Sequence, residues 1–208
     1  MNAKDIMVIS PIVPVIAIDD EKDALPLAKA LQKGGVNIME ITLRTKAALK
    51  AIGIISKELP SMNVGAGTVC NEKELLEAKN AGAKFVFSPG ISQELIDASK
   101  KYKITLIPGV ATASEVMLAQ NNEIYYCKLF PAKIVGGVDI LKAFSGPFPK
   151  ITFCPTGGVN LNNLNDFLIL KNVLCVGGTW FVPKDAIVSN NFERITTLCK
   201  EAIDSIDL

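Results

Sequence analysis

The stretch NIMEITLR, residues 37–44, is a short apolar run with a carboxylate at its centre and a guanidinium at its end. Read as a β-strand, it sends successive side chains to opposite faces. Ile38, Glu40, Thr42 and Arg44 share one face, while Met39, Ile41 and Leu43 share the other. The wholly apolar face suits a layer of helices, which turns Glu40, Thr42 and Arg44 the other way. A closed barrel of parallel strands has an inside for them to point into, with its working end at the strand C-termini.

The chain on either side has the pattern such a barrel needs. Apolar runs recur at IVPVIAI (12–18), NIMEITL (37–43), NVGAGT (63–68), FVFSP (85–89), TLIPGV (105–110), IYYCKLFP (124–131), ITFCPTG (151–157) and VLCVGGT (173–179). Helix-like segments separate them. EKDALPLAKALQKGG shows Leu25, Ala28, Leu31 and Gln32 on one face and stops at Gly34-Gly35. NEKELLEAKNAGA opens on Asn71 as N-cap with Glu74 three residues on, and SQELIDASKKY and TASEVMLAQNN open on hydroxyl N-caps. Alternation of strand and helix predicts a parallel sheet with helical crossovers. Eight units follow one another with no Pro/Ser-rich linker, at roughly 26 residues per unit. The expectation is a single-domain (β/α)8 TIM barrel over residues 1–208, with a short helix ahead of the first strand. An open doubly wound sheet is the competing arrangement, and the unbroken run of eight units weighs against it.

In IYYCKLFP, Tyr126, Lys128 and Phe130 share a face, opposite Tyr125, Cys127 and Leu129. Lys128 therefore enters the same interior as Glu40. Lysine is almost never fully buried unless something pairs with it. One reading is a structural ion pair with an interior carboxylate. The other is a Schiff-base nucleophile, because desolvation favours the neutral amine and only that form attacks a carbonyl. Glu40 is correspondingly either an ion-pair partner of Lys128 or Arg44, or a general acid–base. Arg44 is either a rim salt bridge or a bidentate clamp for a substrate carboxylate.

Composition narrows the chemistry. The 208 residues are 49% hydrophobic and 21% charged, with a net charge of +1, so nothing in the charge balance favours nucleic acid or an anionic membrane as partner. No uncharged apolar run approaches the roughly 18 residues of a membrane span, and the N-terminus does not read as a signal peptide. The five cysteines (70, 127, 154, 175, 199) form no Cys-x-x-Cys pair, which predicts reduced thiols in a cytoplasmic protein. The chain has no histidine. Ser-His-Asp and Cys-His catalysis and HExxH zinc sites are thereby excluded, and proton transfer falls to carboxylate, lysine, cysteine, tyrosine or water. No carboxylate or thiolate spacing suggests a metal site, so the expected catalyst works with no metal and no cofactor.

Glycine pairs end three of the strands: GAGT (65–68), PTGGVN (155–160) and VGGTW (176–180). Each alone is compatible with a tight turn. After the seventh and eighth strands of a barrel, however, such loops commonly cradle a phosphate. Gly157, Gly158 and Gly178 N–H groups and the Thr179 hydroxyl are the expected donors. Trp180 and Phe181 are expected to pack. Lys46, Lys50, Lys57, Lys100 and Lys101 read as solvated, and Lys133 as exposed and a poorer nucleophile than Lys128.

Taken in order, VPVI, GGVNIMEITLRT, VGAGTV, FSPG, LIPGV, KLFPA, FCPTGGV and VLCVGGTW resemble the 2-keto-3-deoxy-6-phosphogluconate/4-hydroxy-2-oxoglutarate aldolases over residues 10 to 200. The resemblance implies a class I, metal-independent aldolase on a (β/α) barrel, working as a homotrimer on a phosphorylated keto acid and releasing pyruvate. By motif it implies Lys128 as the Schiff-base lysine, Glu40 as acid–base and Arg44 as the carboxylate ligand. Thr68, Pro89 and Phe130 would line the pyruvyl pocket, and Thr156, Gly157 and Gly158 the aldehyde and phosphate end. Thr179 stands where some relatives have serine, which keeps the hydroxyl and adds a methyl. Lys133 and Ile134 also replace the acidic residue expected after F-P-A. Two other readings fit the residues: a phosphosugar isomerase or epimerase using Glu40 as base, and a non-catalytic phosphometabolite sensor.

Overall fold

The computed structural model describes residues 1–207. Its strands are β1 (Ile12–Ile16), β2 (Ile38–Thr42), β3 (Asn63–Gly67), β4 (Phe85–Phe87), β5 (Thr105–Ile107), β6 (Gly109–Val110), β7 (Tyr126–Leu129), β8 (Thr152–Pro155) and β9 (Val176–Gly178). Helix α1 (Ala3–Met7) precedes β1 and lies against β5, its Ile6 and Met7 fully buried. Between and after the strands come α2 (Ala24–Lys33), α3 (Ala48–Glu58), α4 (Glu72–Asn80), α5 (Gln93–Tyr102), α6 (Ala113–Asn121), α7 (Gly137–Ser145), α8 (Leu164–Leu168), α9 (Lys184–Val188) and α10 (Phe192–Asp204). No helix among the described residues is long and apolar enough to cross a membrane.

This is an α/β fold whose parallel sheet curls round an interior. Six strands run in the order β5-β4-β3-β2-β1-β9 and three in the order β6-β7-β8, all in parallel pairs. The eight expected runs thus become nine strands in two sheets. The extra one comes from TLIPGV, which Pro108 divides into β5 and β6. Proline has no N–H to give to a ladder, so β5 pairs back to β4 and β6 forward to β7. Isolated bridges Phe153↔Val173 and Thr156↔Gly177 link β8 to the segment leading into and through β9.

Local rules account for most boundaries. Asn71, Ser92 and Thr112 cap α4, α5 and α6, each accepting from a backbone N–H three residues on. Thr112 and Glu115 form a reciprocal capping box, whereas Glu74 bonds the N–H of Cys70 instead of Asn71. The buried residues of α2 are Ala24, Leu27, Ala28, Ala30 and Leu31; Leu25 and Gln32, expected on the buried face, are only half-buried. Every residue of β2 is buried, because helices cover its outer face and the curled sheet encloses its inner one.

Candidate active site

Among the described residues only seven polar or charged ones are buried, and two of these face each other. Lys128 Nζ on β7 donates to both carboxylate oxygens of Glu40 on β2, at 3.0 and 3.1 Å. The two side chains are 6% and 2% exposed. These residues are 88 apart in sequence, and the strand parity read from NIMEITLR and IYYCKLFP brings them together. A buried pair of this kind repays its desolvation only when the geometry is good, and removing one partner leaves an uncompensated charge.

Small residues make the room. A Cβ placed on Gly67 would lie 2.5 Å from Cγ and 2.6 Å from Cδ of Glu40. On Gly65 it would overlap the ring of Phe85, and on Gly177 it would come within 3.0 Å of the Thr156 methyl. The missing side chains of VGAGT are therefore the volume that Glu40 and Phe85 fill. Gly109 lets its strand approach the Pro89 carbonyl, whose carbon would be 2.5 Å from a Cβ there.

Two aromatic rings complete the surroundings of the lysine. Nζ lies 5.2 Å from the ring centroid of Phe87 on β4 and 5.5 Å from that of Phe130, just past β7. Both distances fall within the range in which a ring face attracts a cation. Thr42 is also buried, its hydroxyl donating to the Ile16 carbonyl at 3.0 Å.

The other expected residues differ in exposure. Arg44 lies beyond the end of β2 on an exposed turn and makes no hydrogen bond or salt bridge among the described residues, so it does not share the buried interior with Glu40 and Thr42. Thr68 directly follows β3 and is half-buried with φ +59°, a left-handed backbone that β-branched residues rarely adopt. Pro89 is exposed, and Ser88 before it is buried with its hydroxyl on the Gly90 carbonyl at 2.6 Å. Thr156 is buried, while Gly157 and Gly158 turn the chain at φ +100° and +82°. Gly178 is buried against the Trp180 ring and Thr179 is exposed. Trp180 does pack, stacking edge-on to Phe181, but its indole N–H is buried without a partner among the described residues. Lys133 is exposed, its N–H donating to the Gly157 carbonyl at 2.9 Å.

Two buried cysteines beside this interior have raised thiols. Burial pushes the Cys127 thiol up to about 12. A hydrogen bond with Cys154, then burial, holds the Cys175 thiol well above its ordinary range. Facing the interior are the Lys128 amine, the Glu40 carboxylate, hydroxyls and the Cys154 thiol, which is paired in register with Lys128 and lies 3.9 Å from the Thr156 hydroxyl.

The sequence reading missed Phe87, Gly67 and Gly177. The signal for Phe87 was present: Phe85 and Phe87 alternate in FVF and so share the inward face. Gly67 and Gly177 carried no such signal, because what they contribute is space for a side chain on another strand.

The chain is similar to known proteins over nearly its whole length. A family model described as KDPG and KHG aldolase matches residues 3–198. The chain is 50% identical over 202 residues to a 2-dehydro-3-deoxy-phosphogluconate aldolase of Dickeya dadantii, covering 97% of this chain and 95% of that protein. It is 46% identical over 207 residues to a KHG/KDPG aldolase of Escherichia coli, covering 100% and 97%. Among solved structures it is similar to a Legionella pneumophila KDPG aldolase holding pyruvate captured at low pH as a covalent carbinolamine, with TM-score 0.96, 44% identity and 98% of each chain covered. It is also similar to a Zymomonas mobilis 2-keto-3-deoxy-6-phosphogluconate aldolase with 3-phosphoglycerate, with TM-score 0.90, 42% identity and 97% and 94% covered.

Proposed function

The chain belongs to the KDPG and KHG aldolase family, and from that premise we propose that Lys128 is the nucleophile of its class I aldol cleavage. The substrate is 2-keto-3-deoxy-6-phosphogluconate, cleaved to pyruvate and glyceraldehyde 3-phosphate; 4-hydroxy-2-oxoglutarate, giving pyruvate and glyoxylate, is the second substrate. The observation that carries this reading is the bidentate Lys128–Glu40 contact in the interior.

Glu40 takes a proton from the ammonium, which frees the amine to attack the C2 ketone. The protonated Glu40 then gives its proton to the departing hydroxyl, and water leaves as the iminium forms. Glu40, directly or through a water, next removes the proton of the C4 hydroxyl. The C3–C4 bond breaks, its electrons pass to nitrogen as an enamine, and the aldehyde departs. Protonation at C3 and hydrolysis return pyruvate and free Lys128. One carboxylate serves each proton transfer, which suits a chain without histidine.

Arg44 and Thr68 hold the substrate carboxylate, with Pro89 and Phe130 closing the pyruvyl end. Arg44 has no competing partner among the described residues, so its guanidinium is available. Thr156, Gly157, Gly158, Gly178 and Thr179 receive the aldehyde and phosphate end. In support, Gly157 and Gly158 turn the chain with left-handed backbone at the end of β8, and a solved relative was crystallised with a phosphorylated ligand. The two sheets act as one closed (β/α)8 barrel forming a single domain, β5 and β6 being one strand broken at Pro108. The enzyme works in the cytoplasm as a homotrimer.

The test is borohydride trapping with pyruvate, read by intact mass and peptide mapping. The expected result is a pyruvyl adduct on Lys128 that Lys128→Ala abolishes. An adduct on Lys133 would move the nucleophile from Lys128 to Lys133. No adduct, with phosphosugars still bound, would overturn the Schiff base in favour of isomerase chemistry.

A further inference from the structure

We propose that Phe87 takes part in the reaction: its ring face stabilises positive charge on the Lys128 nitrogen and so drives loss of water from the neutral carbinolamine. This rests on the reading of Lys128 as the Schiff-base lysine.

Among the described residues, Glu40 is the only hydrogen-bonding or ion-pairing partner of Lys128 Nζ. That single anion is also the group that must carry protons, so its charge changes during the cycle. In the dehydration step the nitrogen lone pair forms the C=N bond, the C2–O bond breaks, and Glu40 gives its proton to the leaving hydroxyl. Nitrogen and Glu40 begin neutral and end as iminium and carboxylate, with water released. When Glu40 later accepts the C4 hydroxyl proton, the iminium loses its counterion until the electrons of the C3–C4 bond arrive. A ring quadrupole is a source of negative potential that does not titrate.

Two rings face the nitrogen, and they are not equivalent. Phe130 is 36% exposed, whereas Phe87 is 1% exposed. A desolvated ring face acts on a cation more strongly than a solvated one. Phe87 is also held in place. It packs edge-on against Phe85 at 5.7 Å and 90°, Phe85 in turn fills the space left by Gly65, and the Phe87 carbonyl accepts from Val69 N–H at 3.2 Å. Leucine would fill much the same volume with no π face.

The resting ammonium faces the same ring, so the informative comparison is between two covalent states that differ in charge at nitrogen. With [2-13C]pyruvate bound, 13C NMR separates the sp3 carbinolamine carbon from the sp2 iminium carbon. The full-length protein would carry 4-fluoro-, 3,4-difluoro- or 3,4,5-trifluorophenylalanine at position 87, alongside Phe87→Leu. Fluorination keeps the ring shape while draining its face of negative potential, which separates this effect from packing. The expected result is a stepwise fall of the iminium-to-carbinolamine ratio with each fluorine, reaching roughly three- to thirty-fold at Phe87→Leu. A ratio that stays constant across the series, with the adduct still on Lys128, overturns the role of Phe87 alone. Absence of any covalent pyruvate carbon in the unsubstituted protein overturns the Schiff-base reading, and this proposal with it.

Discussion

Glu40 occupies the space that a side chain on Gly67 would need: a Cβ there would lie 2.5 Å from its Cγ and 2.6 Å from its Cδ. Both residues are buried on neighbouring strands, and Gly67 is paired in register with Thr42. Gly67→Ala therefore has to displace the Glu40 carboxylate from Lys128. We expect a loss of about 1–3 kcal/mol in stability from overpacking, and, with Glu40 in its proposed acid–base role, a fall of about a hundredfold in turnover from misplacing its carboxylate. Glu40→Asp shortens the offending side chain, so it should restore much of the stability lost in Gly67→Ala while remaining poorly active. Thermal melting of the two single variants and the double variant checks this; simple additivity of the two changes would show that the contact does not matter.

The Lys128–Glu40 pair itself yields a second expectation. Lys128→Met keeps the length of the side chain but leaves a carboxylate buried with no cation. Breaking a buried pair from one side costs about 3–5 kcal/mol. Adding Glu40→Gln removes the orphaned charge, so the double variant should recover most of that loss although neither protein cleaves substrate. Urea denaturation at neutral pH measures both. Equal stability of the single and double variants would mean that water already reaches Glu40.

How far the sequence carried these residues depends on which interactions hold them. Strand parity is a local property, so Glu40 and Lys128 were placed in one interior from eight-residue windows. N-caps are local too, and Asn71, Ser92 and Thr112 were legible for that reason. The break at Pro108 was visible as a residue but not as a consequence, because it depends on which neighbours the two half-strands find. Arg44 followed the parity of its strand on paper, yet the strand ends at Thr42 and leaves it exposed on the rim. The space at Gly67 and Gly177 belongs to side chains far away in sequence, and no window around either glycine contains that information.

Arg44 offers a direct test of the rim. It is exposed and unpaired among the described residues, so Arg44→Ala should change stability by no more than about 0.5 kcal/mol. If it binds the substrate carboxylate, the same change should raise KM about tenfold or more, since charge-assisted bidentate contacts are among the stronger polar interactions. Lysine in its place would restore the charge without the fork and recover only part of the affinity. Steady-state kinetics beside a melting curve distinguishes this from a solvated arginine, for which neither quantity would move.

Thr68 carries strain that its neighbours must hold. At φ +59° a β-branched residue costs about 1–3 kcal/mol relative to one suited to that region. Asparagine adopts the left-handed conformation more readily. Thr68→Asn should therefore raise stability by about 1 kcal/mol and lower turnover, because the hydroxyl is no longer where the backbone had set it. A variant that gained stability with full turnover would show that the strain is not tied to the reaction.

The five cysteines divide by exposure. Cys70 is exposed in the loop before α4, and its thiol is held above the ordinary range by partial burial first and by the Glu74 carboxylate second. Cys127 and Cys199 are pushed up to about 12 by burial, and Cys175 also lies well above its usual range. Only the thiolate reacts with an alkylating agent. Because the Cys70 thiol is raised, the rate of its modification by iodoacetamide should climb about tenfold per pH unit from pH 7 to 9, with no plateau in that interval. Intact mass should stop at one carbamidomethyl group in the native protein and reach five after unfolding in guanidinium, with peptide mapping placing the first on Cys70. A second group added at a comparable rate under native conditions would mean that one of the buried thiols is reached without global unfolding.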